Sequence, residues 1–177
     1  MYAVILTFDE QIEDGIKKIW RELEEQGISD YASQVQERKP HLTLASYDEM
    51  ANLEEFKKQF NLFYRQVPSL TVQFSSLGSF LQSGTLFLSP VVTQSLFALH
   101  QAYYQTFHQW SAQKLYRPEH WIPHVTLANY LSADQLQEAF AFCQGQLSNL
   151  EGCITGVQLI EISKDKQVKT VCHIAFQ

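Results

Sequence analysis

Residues 40–47 read Pro-His-Leu-Thr-Leu-Ala-Ser-Tyr, and residues 123–130 read Pro-His-Val-Thr-Leu-Ala-Asn-Tyr. Six of the eight positions are identical, at an offset of 124 − 41 = 83 residues. At that offset Leu53 also meets Leu136 and Glu55 meets Glu138, and after a two-residue slip Val72-Gln73-Phe74 resembles Val157-Gln158-Leu159. Two copies of a unit of about 80 residues are too few and too long for a solenoid. A duplicated α/β (α+β) module with a pseudo-two-fold axis fits better. The chain, residues 1–177, is then one domain of two lobes, about 1–80 and 81–177, a layout that allows strands to be exchanged between them.

Hydrophobic periodicity fills in the same order of elements twice. The apolar run at residues 2–8 reads as a strand, and residues 9–25 as a helix with Ile12, Ile16, Ile19, Trp20 and Leu23 on one face, ended by Gly27. Residues 41–46 read as the first motif strand, 51–66 as a helix, and 69–80 as a strand. The second half gives a strand at 85–92 after Gly84, a helix at 94–109, the motif strand at 124–130, and a helix at 133–147. Strands at 154–163 and 168–176 close around a turn at Lys164, Asp165 and Lys166.

Alternate side chains of a strand share a face, so His41 looks the same way as Thr43, and His124 the same way as Thr126. Leu42, Leu44, Val125 and Leu127 point oppositely and anchor each strand in its lobe. Core packing explains a repeat of the apolar positions but gives no reason to repeat His and Thr. In-line displacement at phosphorus needs a base on the attacking oxygen and an acid on the leaving oxygen, from opposite sides. A two-fold repeat delivers two imidazoles in that arrangement, with an unperturbed pKa of about 6.5 suited to both tasks. Thr43 and Thr126 are placed to hold non-bridging phosphate oxygens. Tyr47 and Tyr130 would extend the His-Thr face if the strands run that far, and could stack a base. Lys39, Tyr116 and Arg117, just ahead of the motifs, are further candidates for substrate contact.

These residues resemble the 2H phosphoesterase superfamily, the LigT-like or 2′-5′ RNA ligase group named for its two H-x-[ST] motifs. The resemblance implies antiparallel sheets lining a central cleft, with helices outside. It also implies metal-independent hydrolysis of 2′,3′-cyclic phosphates or related nucleotide and RNA-end phosphodiesters. His41 and Thr43 match the first motif, and His124 and Thr126 the second. Some RNA-directed members carry a basic residue shortly after the second motif, where this chain has Asn129 and Tyr130, which argues against 2′-5′ ligation. The rival reading is a nucleotide-binding or RNA-end-binding module with little turnover, although such a module would not need both histidines.

Other features narrow the partners. His120 and His124 are spaced HxxxH, but Pro118 and Pro123 oppose a helix there and no third ligand is near, so no metal is expected. No cofactor is implied. His100, Tyr104 and His108 form a helical stripe read as flanking the buried face, and His173 alternates with Cys172 and Ile174 in the last strand. Thirteen basic against nineteen acidic residues give a net charge of −6 with no basic stripe. That favours a small nucleotide or an oligonucleotide end with a cyclic or diester phosphate over a long duplex. Three cysteines without CxxC spacing argue against a disulfide framework. No segment has membrane-spanning length or a signal-peptide charge pattern, so a cytoplasmic monomer is expected.

Overall fold

In the computed structural model, which describes residues 1–110, 112–146, 149–165 and 167–177, Asp9 ties the first helix to the sheet. Its Oδ1 accepts a hydrogen bond from the Ile12 amide at 3.0 Å, capping the helix, and its Oδ2 accepts from the Cys153 amide at 2.6 Å. The elements then follow as β1 (Tyr2–Phe8), α1 (Glu10–Glu25), β2 (Leu42–Tyr47), α2 (Leu53–Tyr64) and β3 (Leu70–Phe80). The same order recurs as β4 (Thr85–Pro90), α3 (Gln94–Phe107), β5 (Val125–Ala128), α4 (Ala133–Gln146) and β6 (Leu150–Ile162), with β7 (Val168–Ala175) last. The second motif strand stops at Ala128, short of the expected Tyr130, because Tyr130 turns into the left-handed region at φ 56°. The expected helix end at Leu147 and the Lys166 position of the expected turn lie outside the described residues.

The strands form one seven-stranded antiparallel sheet, in the order β2-β1-β6-β3-β4-β5, with β7 also paired to β6. Each motif strand pairs with the opening strand of its own half, β2 with β1 and β5 with β4. The third strands cross over: β6 lies beside β1, and β3 lies beside β4. Between them β3 pairs with β6 as Leu70–Ile154, Val72–Gly152 and Phe74–Leu150, a register self-complementary about the Val72–Gly152 pair. An antiparallel pair carries a local two-fold axis at such a point, so this contact fuses the expected sheets into one and relates the two sequence halves. The same register revises one sequence match. Gln158 lies in the row of Thr43 through Ile5, and Gly78 in the row of Thr126 through Phe87, so β6 corresponds to β3 at 158 − 78 = 80 residues. Val72-Gln73-Phe74 therefore correspond to Gly152-Cys153-Ile154 and not to Val157-Gln158-Leu159.

One face of the sheet carries the helices. Val4, Leu6, Leu42, Leu44, Leu86, Leu88, Val125 and Leu127 are buried there against residues such as Ile12, Ile16, Phe56, Phe60, Leu96 and Phe107. The opposite face carries Thr43, Ile5 and Gln158 in one row and Thr126, Phe87 and Gly78 in the other. A Cβ on Gly78 would stand 2.6 Å from the Phe87 ring, so glycine lets that ring lie flat across the strand. In a flat sheet, β2 and β5 would stand about 24 Å apart, five strand spacings. Instead the sheet curls, and each outer edge is covered by a segment of the other half. Trp20 of α1 donates its indole N–H to the Thr126 carbonyl at 3.1 Å, and Trp121 donates to the Thr43 carbonyl at 2.9 Å. The Gln113 amide adds a bond to the Ser46 carbonyl at 2.9 Å. Edge carbonyls that would otherwise need water are thus satisfied by the opposite half.

Behind Trp121 lies His100 of α3, fully buried and stacked on the indole at 3.8 Å between ring centroids, with 6° between the planes. Its Nε2 donates to the Tyr116 carbonyl at 3.0 Å. His100 thus belongs to the core itself, whereas the expectation had it flanking the core. Burial pushes its pKa down to about 4, with the carbonyl bond opposing the shift in part.

Two outcomes follow from this packing. Trp20→Phe should lower unfolding free energy by about 1–3 kcal/mol in a urea titration, the cost of leaving a donor-starved carbonyl at Thr126. His100 is neutral in the folded chain, so its stabilising effect is complete above about pH 6.5 and fades as pH falls from there toward 4. The loss over that window should be on the order of 3 kcal/mol, and His100→Gln, which keeps an N–H donor but cannot titrate, should flatten that slope relative to the wild-type chain.

Candidate active site

The two motif copies fold alike in every local respect that positions a side chain. Pro40, Leu42, Leu44 and Ala45 are buried while His41 and Thr43 are half-buried, and Pro123, Val125, Leu127, Ala128, His124 and Thr126 repeat that pattern in order. Each strand also carries a β-bulge at the same place. In β2 the register passes from Thr43–Ile5 to Ala45–Val4, leaving Leu44 as the extra residue. In β5 it passes from Thr126–Phe87 to Ala128–Leu86, leaving Leu127. A bulge resets side-chain alternation, so residues beyond it exchange faces.

Just before each strand the imidazole folds back onto its own chain. His41 Nδ1 lies 2.8 Å from the Lys39 carbonyl, and His124 Nδ1 lies 2.7 Å from the Ile122 carbonyl. Lys39 and Ile122 are themselves related by the offset of 122 − 39 = 83. A carbonyl can only accept, so Nδ1 carries the proton in both rings and Nε2 is the atom left for chemistry. The rings lie close enough that positive charge on His124 lowers the pKa of His41. Both pKa values are depressed, and burial is the leading cause in each. The carbonyl bonds pull the other way. For His41 the nearby Arg38 guanidinium depresses it further. Around His124 the burial is aromatic: Phe80 lies edge-on at 4.8 Å and Phe87 is tilted at 5.2 Å.

Each motif threonine is held by aromatic residues of the other half. Its carbonyl takes the indole bond described above. The Thr43 hydroxyl lies beside the Tyr116 phenol, where it offsets part of the rise in pKa that burial imposes on that tyrosine. The Thr126 side chain does the same for Tyr31, which also senses Arg38. The chain segment ahead of each motif thus reaches across to the threonine of the other motif.

The structure brings His41, His124, Thr43 and Thr126 to one face and distributes the remaining sequence candidates differently. Tyr47 lies beyond the Leu44 bulge and is turned to the helix side. It is buried, its hydroxyl 2.6 Å from that of Tyr103 and its ring edge-on to Phe56, so of its two readings, stacking on a base or packing at the strand exit, the structure gives the packing. Tyr130 is 79% exposed and lines a separate cavity of about 360 Å³ with Asn129, Glu24 and Asp30, off the expected His-Thr face. Tyr116 does reach the site, through its phenol beside Thr43. Lys39 acts through its carbonyl, its side chain being exposed. Arg117 is exposed, and its carbonyl accepts from the His120 and Trp121 amides at 2.8 and 2.9 Å. His173 pairs with Gln158 and so shares the Thr43 row, about 14 Å away by strand spacing. Trp20, Tyr31, Arg38 and Trp121 were not among the expected site residues. Arg38 and Trp121 each stand three residues before a motif histidine, the one signal that could have singled them out. Among the described residues no three His, Cys, Asp or Glu side chains converge as a metal-ligand set, and no helix is long and apolar enough to cross a membrane.

Known proteins share this architecture. Escherichia coli LigT, in a crystal structure with 3′-AMP, matches with a TM-score of 0.69 at 17% identity, over 99% of this chain and 97% of that one. A Thermus thermophilus protein matches with a TM-score of 0.63 at 12% identity, over 99% and 97% of the two chains. Kluyveromyces marxianus Usb1, solved with uridine monophosphate, matches with a TM-score of 0.50 at 11% identity, over 96% of each. No curated protein matches the sequence itself. Identities this low establish a shared fold and nothing finer. The sequence model of the 2′-5′ RNA ligase superfamily, however, matches residues 8–166. A match across nearly the whole chain, on a fold shared with LigT, means that this protein belongs to the 2′-5′ RNA ligase superfamily, the 2H phosphoesterases.

Proposed function

We propose that the chain is a metal-independent phosphodiesterase that hydrolyses 2′,3′-cyclic phosphates, or related nucleotide and RNA-end phosphodiesters, with His41 and His124 as the acid–base pair. The observation that carries this reading is the twin clamp of Nδ1 on the Lys39 and Ile122 carbonyls. It fixes ring orientation and tautomer in both copies and leaves two Nε2 atoms as the available base and acid. A neutral Nε2 removes a proton from water as the water oxygen bonds to phosphorus. The bond from phosphorus to the 2′ or 3′ oxygen breaks, and the second ring, protonated at Nε2, gives that proton to the departing oxygen. The two rings have then exchanged protonation states, and solvent resets them. Thr43 and Thr126, held by their aromatic braces, can donate to the non-bridging oxygens as charge builds there.

Several observations favour a nucleotide-sized substrate and hydrolysis over joining. The net charge of −6 and the absence of a basic stripe disfavour a long duplex. LigT and Usb1 were solved with a mononucleotide, which supports ligands of that size. Asn129 and Tyr130 occupy the place where some RNA-directed members are basic, and this argues against 2′-5′ ligation.

The proposal is tested by assaying a panel of 2′,3′-cyclic mononucleotides, 2′-5′ dinucleotides and RNA ends. His41→Ala and His124→Ala should each lower kcat by about 10²–10⁴-fold, the usual reach of a general acid or base. The double variant should lose less than the product of the two, because the pair acts as a unit. Turnover should survive exhaustive chelation; a requirement for one divalent ion, restored on adding it back, would overturn the metal-independent mechanism. Binding of the panel without turnover would establish the rival binding-module reading.

The pH dependence has a definite sign. Both histidines are depressed in the free chain, and a bound phosphate anion favours imidazolium, so the pKa values rise in the complex. Both profiles should be bell-shaped, with that of kcat, which reports the complex, displaced to higher pH than that of kcat/KM, which reports the free enzyme. The limbs belong to the coupled pair and not to single residues. A profile without two limbs would exclude paired acid–base chemistry.

A further inference from the structure

We propose that Arg38 is the substrate-binding cation of this site, its guanidinium holding the non-bridging oxygens of the phosphodiester that His41 and His124 act on. The inference rests on the hydrolytic reading above and extends it to a residue outside both motifs.

Four observations meet at this side chain. Its Cζ lies over the Tyr31 ring, 3.9 Å from the centroid, so the guanidinium is held against the face of a buried aromatic. Its Nε is buried and has no hydrogen-bond partner among the described residues. The ion pairs formed among the described residues, Lys17–Glu13, Lys18–Glu22 and Lys57–Glu54, leave Arg38 without a carboxylate. Its charge also reaches both motifs, acting on His41 directly and on Tyr31, which in turn lies beside Thr126.

A half-buried guanidinium with an orphaned N–H is costly unless an anion completes it. The Nε–H and an adjacent Nη–H form a planar fork that matches two oxygens of one phosphate. In a chain of net charge −6 the long-range field opposes an incoming anion, so a fixed local cation supplies attraction that the rest of the surface does not. Lys39 and Arg117 are exposed and lack such a clamp, which separates them from Arg38. The two sides of the site are therefore unlike. At the third position before each histidine, one side carries a guanidinium over Tyr31 and the other the Trp121 indole over His100.

The test combines kinetics with a direct binding probe. Arg38→Gln should lower kcat/KM on a 2′,3′-cyclic nucleotide by about 10²–10³-fold, as when a charge-stabilising donor is lost. It should also weaken binding of inorganic phosphate at least tenfold. Arg38→Lys, which keeps the charge but not the fork, should fall between the two. In the unmodified protein, saturating inorganic phosphate should shift the Arg38 Nε–H resonance and slow its exchange with water, a readout that needs no variant to fold. A folded Arg38→Gln protein with wild-type kcat/KM and phosphate affinity, or an Nε–H resonance unmoved by phosphate, would overturn the proposal. If phosphate shifts that resonance while no cyclic or diester substrate turns over, the Arg38 contact stands and the hydrolytic reading fails.

Discussion

The antiparallel pairing of β3 with β6 about Val72 and Gly152 is the constraint on which the rest of the molecule depends. Without it, β2-β1-β6-β7 and β3-β4-β5 would be separate sheets, each with an open edge. With it, one register fixes where both motif strands lie, because β6-β1-β2 and β3-β4-β5 step outward from this contact symmetrically, β7 alone lacking a counterpart. Crossing the third strands adds a second consequence: neither half can complete its share of the sheet alone, since β1 needs β6 and β4 needs β3. Folding of the two halves is therefore coupled, and the site forms only when both are in place.

That coupling repeats at the scale of single hydrogen bonds. The outer carbonyl of each motif threonine is satisfied by an indole from the opposite half, and each threonine side chain meets a tyrosine from the opposite half. Such braces suit catalysis at phosphorus, where the donors must be in place before charge develops. The cost appears in protonation. Burial depresses both histidines, so the unliganded site leans toward two neutral rings, and in the proposed reaction the charge of a bound phosphate would restore the imidazolium.

The symmetry is incomplete in ways that bear on substrate. Phe80 and Phe87 crowd His124, whereas His41 has a guanidinium for a neighbour. The motif strands also end differently. Tyr47 enters the core and bonds Tyr103, while Tyr130 leaves its strand at φ 56° and becomes exposed. A duplicated scaffold thus carries two unlike sides, which suits the proposed reaction, in which water attacks on one side of the phosphorus and a ribose oxygen leaves on the other.

The sequence by itself determined the duplication, the order of strands and helices, and the four polar residues of the motifs. All of these are written in local spacing: a two-residue alternation in strands, a helical stripe in α1, and an exact offset between the copies. It also carried the family, because two complete motifs are a specific signal. The tertiary structure alone decided the rest. The bulges at Leu44 and Leu127 are registers between strands, so alternation within one strand could not foresee that Tyr47 would change faces. The crossing of β3 and β6, and the corrected offset of 80 residues between them, depend on pairing partners far apart in the chain. Trp20, Tyr31 and Trp121 join the site only because the segment before each motif folds over the other motif's strand, and Arg38 is set by its contact with the face of Tyr31. A contact between residues 106 positions apart, such as Trp20 with Thr126, leaves no periodic trace in either segment. Periodicity records which way a side chain points from its own element; what it meets there is set by how the elements pack.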